Sequence, residues 1–289
     1  MEKESQTPCA ACGWTTQKQR CCDYVSHVKL FYGAGDRGAW ALGSNFILKE
    51  RPRGPTNYEA VNLTFLRDNT TIPVPKMVKE WVDDEGSYFV LMERIKGQTL
   101  EAAWSAMSTA AKERVADQTA DCILQLRRFQ SARMESLDGG LVYSGFLFLG
   151  DLESPHGPFL SDEEFRKDMA VALEHLPERA RECFRKRTPN STPYTFTHGD
   201  LTNVNIMVKD GNLTGIIDWE AAGYFPAWWE FTAASIGLGA EDAEWKALLR
   251  ARMTEYTQER EFWRDFYAIH SYPNLNERGE ALLKELLED

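Results

Sequence analysis

The chain has 289 residues, of which 43% are hydrophobic, and it carries a net charge of −11. So acidic a surface repels nucleic-acid phosphates and anionic lipid headgroups, and we expect neither as a partner. No apolar run approaches the roughly 20 residues that cross a bilayer, and residues 1–6 are too polar for a signal peptide. We therefore expect a cytoplasmic protein with reduced thiols.

Four of the six cysteines lie in a predicted N-terminal segment, residues 1–24. They are Cys9, Cys12, Cys21 and Cys22. A C-x-x-C pair with two further cysteines could hold zinc. Adjacent cysteines suit one tetrahedral ion poorly, because their side chains tend to diverge. A loose, reduced segment is therefore the alternative interpretation.

The elements predicted before about residue 96 are mostly strands. Apolar residues recur at helical spacing between Tyr58 and Leu66, which predicts one helix, and Thr56 and Glu59 have the spacing of a capping box at its start. The predicted strands are 25–32, 40–42, 46–49, 76–82 and 88–95, the last two forming a hairpin.

After residue 96 the predicted elements are mostly helices. A long helix is predicted over 108–134, and another begins at Ser161, where Glu164 has capping-box spacing. One hairpin interrupts them, with strands 206–208 and 213–217 around an Asp-Gly turn. The last predicted helices lie near 245–253 and 261–270.

The residues with the clearest chemistry flank this hairpin. Asp200 lies five residues before Asn205, and Asp218 follows the second strand, which brings it back toward Asn205. Phosphoryl transfer needs a carboxylate to orient the attacking hydroxyl and oxygen ligands for Mg²⁺. Asp200 suits the first role, while Asn205 and Asp218 suit the second. Capping of a turn is the ordinary alternative for Asp200.

The sequence HGDLTNVN from His198, followed by IIDWEAAGYFPAWWEF from Ile216, resembles the aminoglycoside phosphotransferase and choline kinase-like families, in particular their fungal branch. The resemblance covers most of the chain after about residue 28. It implies the two-lobed α+β fold of the protein-kinase-like superfamily, with an antiparallel sheet and one helix in an N-terminal lobe and a mainly helical C-terminal lobe. The implied nucleotide-binding lobe is 25–96, and the implied catalytic and acceptor-binding lobe is 97–289.

The resemblance also implies ATP and Mg²⁺ as cofactors and a hydroxylated small molecule, an alcohol or amino alcohol, as acceptor. Lys49 would bind the α- and β-phosphates, although an exposed lysine at the end of a strand is the ordinary alternative. Glu59 would pair with Lys49, a role that competes with the capping box. The connection between the lobes would read adenine through its backbone, near Met92, Glu93 and Ile95.

Two further groups of residues have weaker signals. The glycines of a G-x-G-x-x-G pattern could cover the phosphates or form a plain hairpin turn; they are Gly33, Gly35 and Gly38. An acidic and aromatic wall could line the acceptor pocket and favour an amine, although aromatic residues more often belong to a core. Its candidate residues are Glu220, Trp219 and Trp229.

Thr202 departs from both related patterns, because protein kinases place Lys and many aminoglycoside kinases place His there. Protein substrates are therefore not expected. Two other functions stay open: a nucleotide-binding module without catalysis, and a kinase-fold enzyme with other chemistry such as nucleotidyl transfer. The sequence does not identify the acceptor, choose between ATP and GTP, or give the oligomeric state.

Overall fold

The structure is a computed structural model that describes residues 28–34, 37–52, 57–150 and 154–288. The cysteines of the N-terminal segment and Gly35 lie outside these ranges. Zinc binding by Cys9, Cys12, Cys21 and Cys22 therefore stays a prediction.

A five-stranded antiparallel sheet forms the first part of the chain, in the order β1-β2-β3-β5-β4. Hairpins join β1 to β2, β2 to β3 and β4 to β5, whereas β3 and β5 pair without following one another in the chain. The strands are β1 (Val28–Ala34), β2 (Arg37–Leu42), β3 (Phe46–Arg51), β4 (Met77–Val82) and β5 (Tyr88–Glu93). The predicted antiparallel sheet is confirmed.

Helix α1 (Glu59–Asn69) lies between β3 and β4 in the chain and buries Leu63 and Leu66. Its first N–H group is satisfied by Asn57, whose side-chain oxygen accepts from the Glu59 N–H at 2.9 Å. Thr56, the predicted capping residue, lies outside the described ranges. The Glu59 carboxylate bonds to Lys49 instead of the helix backbone.

The second part of the chain is mainly helical, as predicted. The long predicted helix ends at Leu126 rather than at 134, because the chain turns through Arg127–Phe129 and enters a short strand that pairs with Tyr194 and Thr195. The helices are α2 (Leu100–Ala103), α3 (Thr109–Leu126), α4 (Gly145–Phe148), α5 (Asp162–Val171), α6 (Glu178–Lys186), α7 (Trp229–Ala233), α8 (Ala240–Arg250), α9 (Thr257–His270) and α10 (Glu277–Glu288). No described helix is both long and apolar enough to span a membrane.

Two small sheets interrupt these helices, where the sequence predicted a single hairpin. That hairpin pairs with a third strand in the order β10-β9-β6, and a second sheet has the order β11-β8-β7. The strands are β6 (Gln98–Thr99), β7 (Gln130–Ser131), β8 (Tyr194–Thr197), β9 (Ile206–Lys209), β10 (Asn212–Ile216) and β11 (Gly223–Pro226). The loops that leave β8 and β10 begin close to one another, since His198 Nε2 lies 3.0 Å from the Ile217 oxygen.

One hydrophobic core joins the sheet and its helix to the small hairpin sheet. It contains Leu63 and Val90 from the first part, and Ile206 and Ile216 from the second. The chain crosses between the two parts in the stretch from Glu93 to Gln98. The predicted boundary near residue 96 falls in this stretch, and the division into lobes with separate roles stays a prediction.

Candidate active site

The loop between β8 and β9 brings Asp200 and Asn205 together. The Asn205 side-chain N–H₂ donates to the Asp200 backbone oxygen at 2.9 Å and to its Oδ2 at 3.1 Å. Gly199 has a positive φ of 81°, and a Cβ there would lie 3.5 Å from the Trp229 indole nitrogen. A glycine thus lets the loop turn tightly beside this ring.

Glu230 fixes the start of the loop from helix α7. Its carboxylate, which is 2% exposed, accepts from the backbone N–H groups of His198 and Gly199 at 2.8 and 3.1 Å. The His198 ring accepts from the Asp200 N–H at Nδ1, 3.2 Å away, and Nε2 lies 3.0 Å from the Ile217 oxygen. His198 therefore ties the loop to Ile217 by hydrogen bonds, and sequence reasoning assigned no role to Glu230.

Asp218 lies two residues after the hairpin strand β10, and its backbone φ is 69°. The Ile217 N–H donates to the Asn205 backbone oxygen at 3.0 Å, so the loop after β10 is tied to the loop before β9. A non-glycine residue with positive φ carries backbone strain that the surrounding structure must offset, and such strain is concentrated at functional sites.

Lys49 joins Asp218 to helix α1. Its ammonium nitrogen lies 2.7 Å from Glu59 Oε1 and 2.7 Å from Asp218 Oδ1. Burial alone would lower the pKa of Lys49, but the two carboxylates raise it above its ordinary value. Lys49 therefore stays charged, and the predicted Lys49–Glu59 pair is present in the structure.

Asp200 and Asp218 have opposite electrostatic environments. Burial would raise the pKa of Asp218, but Lys49 and Arg51 lower it to about 2. Burial raises the pKa of Asp200, and the nearby Asp218 charge adds to that effect. Asp218 is thus a permanent anion, whereas Asp200 holds a proton more readily than an ordinary aspartate.

Glu220 is enclosed by cations, and its part in an acidic wall of the acceptor pocket stays a prediction. Its carboxylate accepts from Arg51 Nε at 2.5 Å, Arg37 Nη1 at 3.3 Å and Asn57 Nδ2 at 3.1 Å. Because two arginines compensate its charge, Glu220 is a poor partner for an amine. Sequence reasoning did not identify either arginine.

A cleft of about 370 Å³ opens over these groups. Trp229 and Glu220 line it, and their role in binding an acceptor stays a prediction. Trp219 does not line it, because its side chain is fully buried and its indole N–H donates to the Ile216 oxygen. The other lining residues are Tyr32, Arg37, Arg51, Pro52, Asn57, Tyr143, Ser144, Gly145, Phe146, His198, Gly199, Asp200, Asp218, Ala221 and Phe225.

The glycine pattern forms the end of the β1–β2 hairpin. Gly33 pairs with Gly38, and the next pair is Ala34 with Arg37. A Cβ on Gly38 would meet the Trp40 ring at 2.5 Å, so this position needs glycine for packing. The structure thus agrees with a hairpin turn, and a role of these glycines in covering phosphates stays a prediction.

Some groups in the stretch predicted to bind adenine already have partners within the protein. The Glu93 N–H donates to the Lys76 oxygen at 2.8 Å, and the Met92 side chain is buried. Ile95 packs against Gly215, where a Cβ would lie 2.9 Å from two of its methyl carbons. The Glu93 N–H is therefore not free for adenine, and recognition near Met92 and Ile95 stays a prediction.

Several solved structures share the fold of this chain. The chain is similar to a streptomycin–ATP ternary complex of APH(2'')-IIa, with 16% identity, 91% of each chain covered and a TM-score of 0.56. It is also similar to a GDP complex of aminoglycoside 2'-phosphotransferase-IIIa, with 17% identity, coverage of 94% of this chain and 93% of that one, and a TM-score of 0.58. A third match is aminoglycoside phosphotransferase APH(4)-Ia, with 14% identity, 93% of each chain covered and a TM-score of 0.58.

These identities are low, so the three structures establish the two-lobed protein-kinase-like fold alone, and they confirm the predicted fold class. No curated protein sequence matches the chain significantly. The sequence profile of the phosphotransferase enzyme family, APH, matches residues 33–266, which is most of the chain. Together with the geometry of Asp200, Asn205 and Asp218, this match confirms the family predicted from the motifs: the chain belongs to the APH phosphotransferase family.

Proposed function

We propose that this chain is an ATP- and Mg²⁺-dependent kinase that phosphorylates a hydroxyl group of a small molecule, an alcohol or amino alcohol. The observation that carries the proposal is the meeting of Asp200 and Asp218 in one cleft, with Lys49 bonded to Asp218 at 2.7 Å. A binding module does not need a partly buried carboxylate with a raised pKa in such a position. The 25–96 lobe would bind ATP, the 97–289 lobe would bind the acceptor, and the cytoplasm would be the location.

The donor atoms of the site fit Mg²⁺. Asn205 donates with Nδ2 to Asp200, which leaves its Oδ1 as a ligand. Asp218 bonds to Lys49 through Oδ1, and no described residue donates a hydrogen bond to its Oδ2. Carboxylate and amide oxygens are the ligands this ion prefers, and when bound it offsets negative charge on the phosphate oxygens.

Protein side chains would carry out the remaining steps. Lys49 holds the α- and β-phosphates, and Asp200 accepts a hydrogen bond from the acceptor hydroxyl. The hydroxyl oxygen then bonds to the γ-phosphorus, the bond from that phosphorus to the ADP oxygen breaks, and the hydroxyl proton passes to the Asp200 carboxylate. The raised pKa of Asp200 makes it a better proton acceptor than an ordinary aspartate.

Nucleotide binding is the first test, because it needs no acceptor. A ligand at 100 times its Kd stabilises a protein by about 2.7 kcal/mol. We expect such a rise in thermal stability with MgATP in the wild type, and a smaller rise in Asp218→Ala.

Mass spectrometry of products from a panel of alcohols and amino alcohols is the second test. We expect one acceptor to gain a phosphate while one equivalent of ADP forms, and Asp200→Asn to slow both about 10²- to 10⁴-fold. A product that gains AMP or loses water would indicate other chemistry. Binding of MgATP without turnover over the whole panel would support a module without catalysis.

A further inference from the structure

Arg51 points to the same side of β3 as Lys49, because side chains two residues apart along a strand share a face. Its Nε donates to Glu220 Oε2 at 2.5 Å, and its Nη1 donates to the Glu50 backbone oxygen at 2.8 Å. The guanidinium is therefore fixed at two of its nitrogens. The third, Nη2, lies 3.9 Å from Asp218 Oδ1, which is beyond hydrogen-bond distance.

This third nitrogen is placed near the path of the proposed phosphoryl transfer. Arg51, Asp200 and Asp218 line the same cleft, whereas Lys49 does not line it. Among the described residues, the cations in the cleft lining are Arg37 and Arg51. The γ-phosphoryl group would move from the metal side at Asp218 toward the acceptor side at Asp200, and Arg51 Nη2 lies beside the first of these, 3.9 Å from Asp218 Oδ1.

We propose that Arg51 is a catalytic residue that donates from Nη2 to the γ-phosphate of ATP, and that Glu220 is the positioning residue that holds its guanidinium. The inference rests on the proposed function and adds a second phosphate-binding cation to β3. Guanidinium–phosphate hydrogen bonds are among the strong ones in proteins. An arginine on the transferring group also stabilises charge in the transition state of phosphoryl transfer.

Glu220 has a specific part in this arrangement. Without its carboxylate, the Arg51 guanidinium is free to close the 3.9 Å gap to Asp218 and to compete with the metal for that ligand. Glu220 is itself held by Arg37 and Asn57, so the end of the β1–β2 hairpin is tied to the same carboxylate. A glutamine at position 220 would keep an oxygen for the Arg51 Nε, whereas alanine would not.

The test compares two nucleotides that differ in the γ-phosphate: MgADP and the magnesium complex of a non-hydrolysable β,γ-imido ATP analogue. We expect Arg51→Gln to weaken binding of the ATP analogue about tenfold, since a charge-assisted hydrogen bond contributes about that much affinity. MgADP affinity should change by less than about twofold. Lys49→Met, the matched control on the same strand, should weaken both nucleotides.

Glu220 is tested in the same assay. Glu220→Ala should reproduce the selective loss for the ATP analogue, and Glu220→Gln should restore most of the affinity. If Glu220 only stabilised the fold, Glu220→Ala would instead lower the affinity for both nucleotides together. Arg51→Gln leaves the half-buried Glu220 carboxylate with fewer partners. If this variant does not fold, the double variant Arg51→Gln/Glu220→Gln replaces it in the nucleotide-binding assay.

The outcomes separate the two proposals. Equal losses for both nucleotides in Arg51→Gln, or no loss for either, would overturn the role of Arg51 and leave the proposed kinase function standing. A wild-type protein that binds neither nucleotide would overturn both. A selective loss of the ATP analogue, with restoration by Glu220→Gln after Glu220→Ala, is the result we expect.

Discussion

Two ion clusters in this molecule each contain a carboxylate whose pKa is lowered to about 2. One is the cleft cluster, Asp218 with Lys49 and Arg51. The other is the helix cluster, Glu261 on α9, where burial opposes the shift and hydrogen bonds from Arg278, Arg264 and Arg260 cause it. A low carboxylate pKa thus reports nearby positive charge and does not by itself identify a functional site.

The difference between the clusters lies in what they connect and what they leave free. The cleft cluster joins groups 169 residues apart in the chain, and it lies beside a second aspartate whose pKa is raised. The helix cluster joins α9 to its neighbour α10 through Arg278, at a glutamate whose side chain is 36% exposed. Two acids with opposite shifts in one cleft are what acid–base chemistry requires, and the helix cluster has no such pair among the described residues.

The largest expected effect separates the clusters by activity. Asp218→Asn should lower kcat roughly 10⁴-fold, because a metal ligand supports several kcal/mol of transition-state stabilisation. Glu261→Gln should leave kcat within about twofold, since surface substitutions act mainly on stability and only weakly. Steady-state kinetics on the acceptor found in the product screen measures both. Comparable losses of kcat in the two variants would mean that the cleft cluster and the helix cluster do not differ in function.

Asp200→Asn should have the next largest effect, a loss of about 10²- to 10⁴-fold in kcat, because a positioned base contributes about that much. Asparagine keeps the size of the side chain, so MgATP affinity should be unchanged. Calorimetric titration of MgATP checks the second part. A variant with near wild-type turnover would show that Asp200 is not the proton acceptor.

The sequence predicted the part of the site whose residues lie close together in the chain. Asp200, Asn205 and Asp218 fall within 19 residues, and one hairpin with an Asp-Gly turn brings them together. The Lys49–Glu59 pair was predicted from the family resemblance. The strand-rich first part followed from period-two patterns and turn residues, which are local signals.

The groups that sequence reasoning missed act over long separations. Arg51 bonds to Glu220, which lies 169 residues later in the chain. Glu230 accepts hydrogen bonds from the backbone of His198 and Gly199, which lie 32 and 31 residues earlier. No local spacing marks such pairs. The helix predicted over 108–134 was too long because apolar residues continue at helical spacing to Phe129, although the chain has already turned at Arg127 to pair with β8. Tertiary pairing overrode the local pattern there.

The third prediction uses the burial of the cleft cluster. Lys49→Met should destabilise the fold by about 3 kcal/mol, because it leaves the Glu59 carboxylate, 1% exposed, without its ammonium partner. The double variant Lys49→Met/Glu59→Gln should regain most of this stability without regaining nucleotide binding. Lys76→Met is the matched control. It breaks an exposed pair with Glu93 and should cost less than about 1 kcal/mol.

Urea unfolding of these variants gives the free energies. A double variant as unstable as Lys49→Met would mean that Lys49 stabilises the fold through contacts other than its charge pair with Glu59.

The smallest expected effect concerns the helix cluster and its dependence on pH. The pKa of Glu261 in the folded protein, about 2, lies below the value of about 4.3 for an unfolded glutamate. A carboxyl group with a lowered folded pKa stabilises the fold above the unfolded pKa, and this contribution is lost as the pH falls toward the folded pKa. Because Glu261 is partly exposed, solvent screening limits the contribution to about 1 kcal/mol or less.

Glu261→Gln should therefore be slightly less stable than the wild type from pH 7 down to about pH 5, and the difference should shrink as the pH falls from about 4 to 3. Urea unfolding at each pH measures the difference, with Lys284→Gln as an exposed control on the adjacent helix α10. A difference that grew on acidification would mean that the arginines do not lower the pKa of Glu261. Glu261 would then lack the lowered pKa that Asp218 has. The cleft cluster would differ from the helix cluster in the pKa of its carboxylate as well as in its geometry.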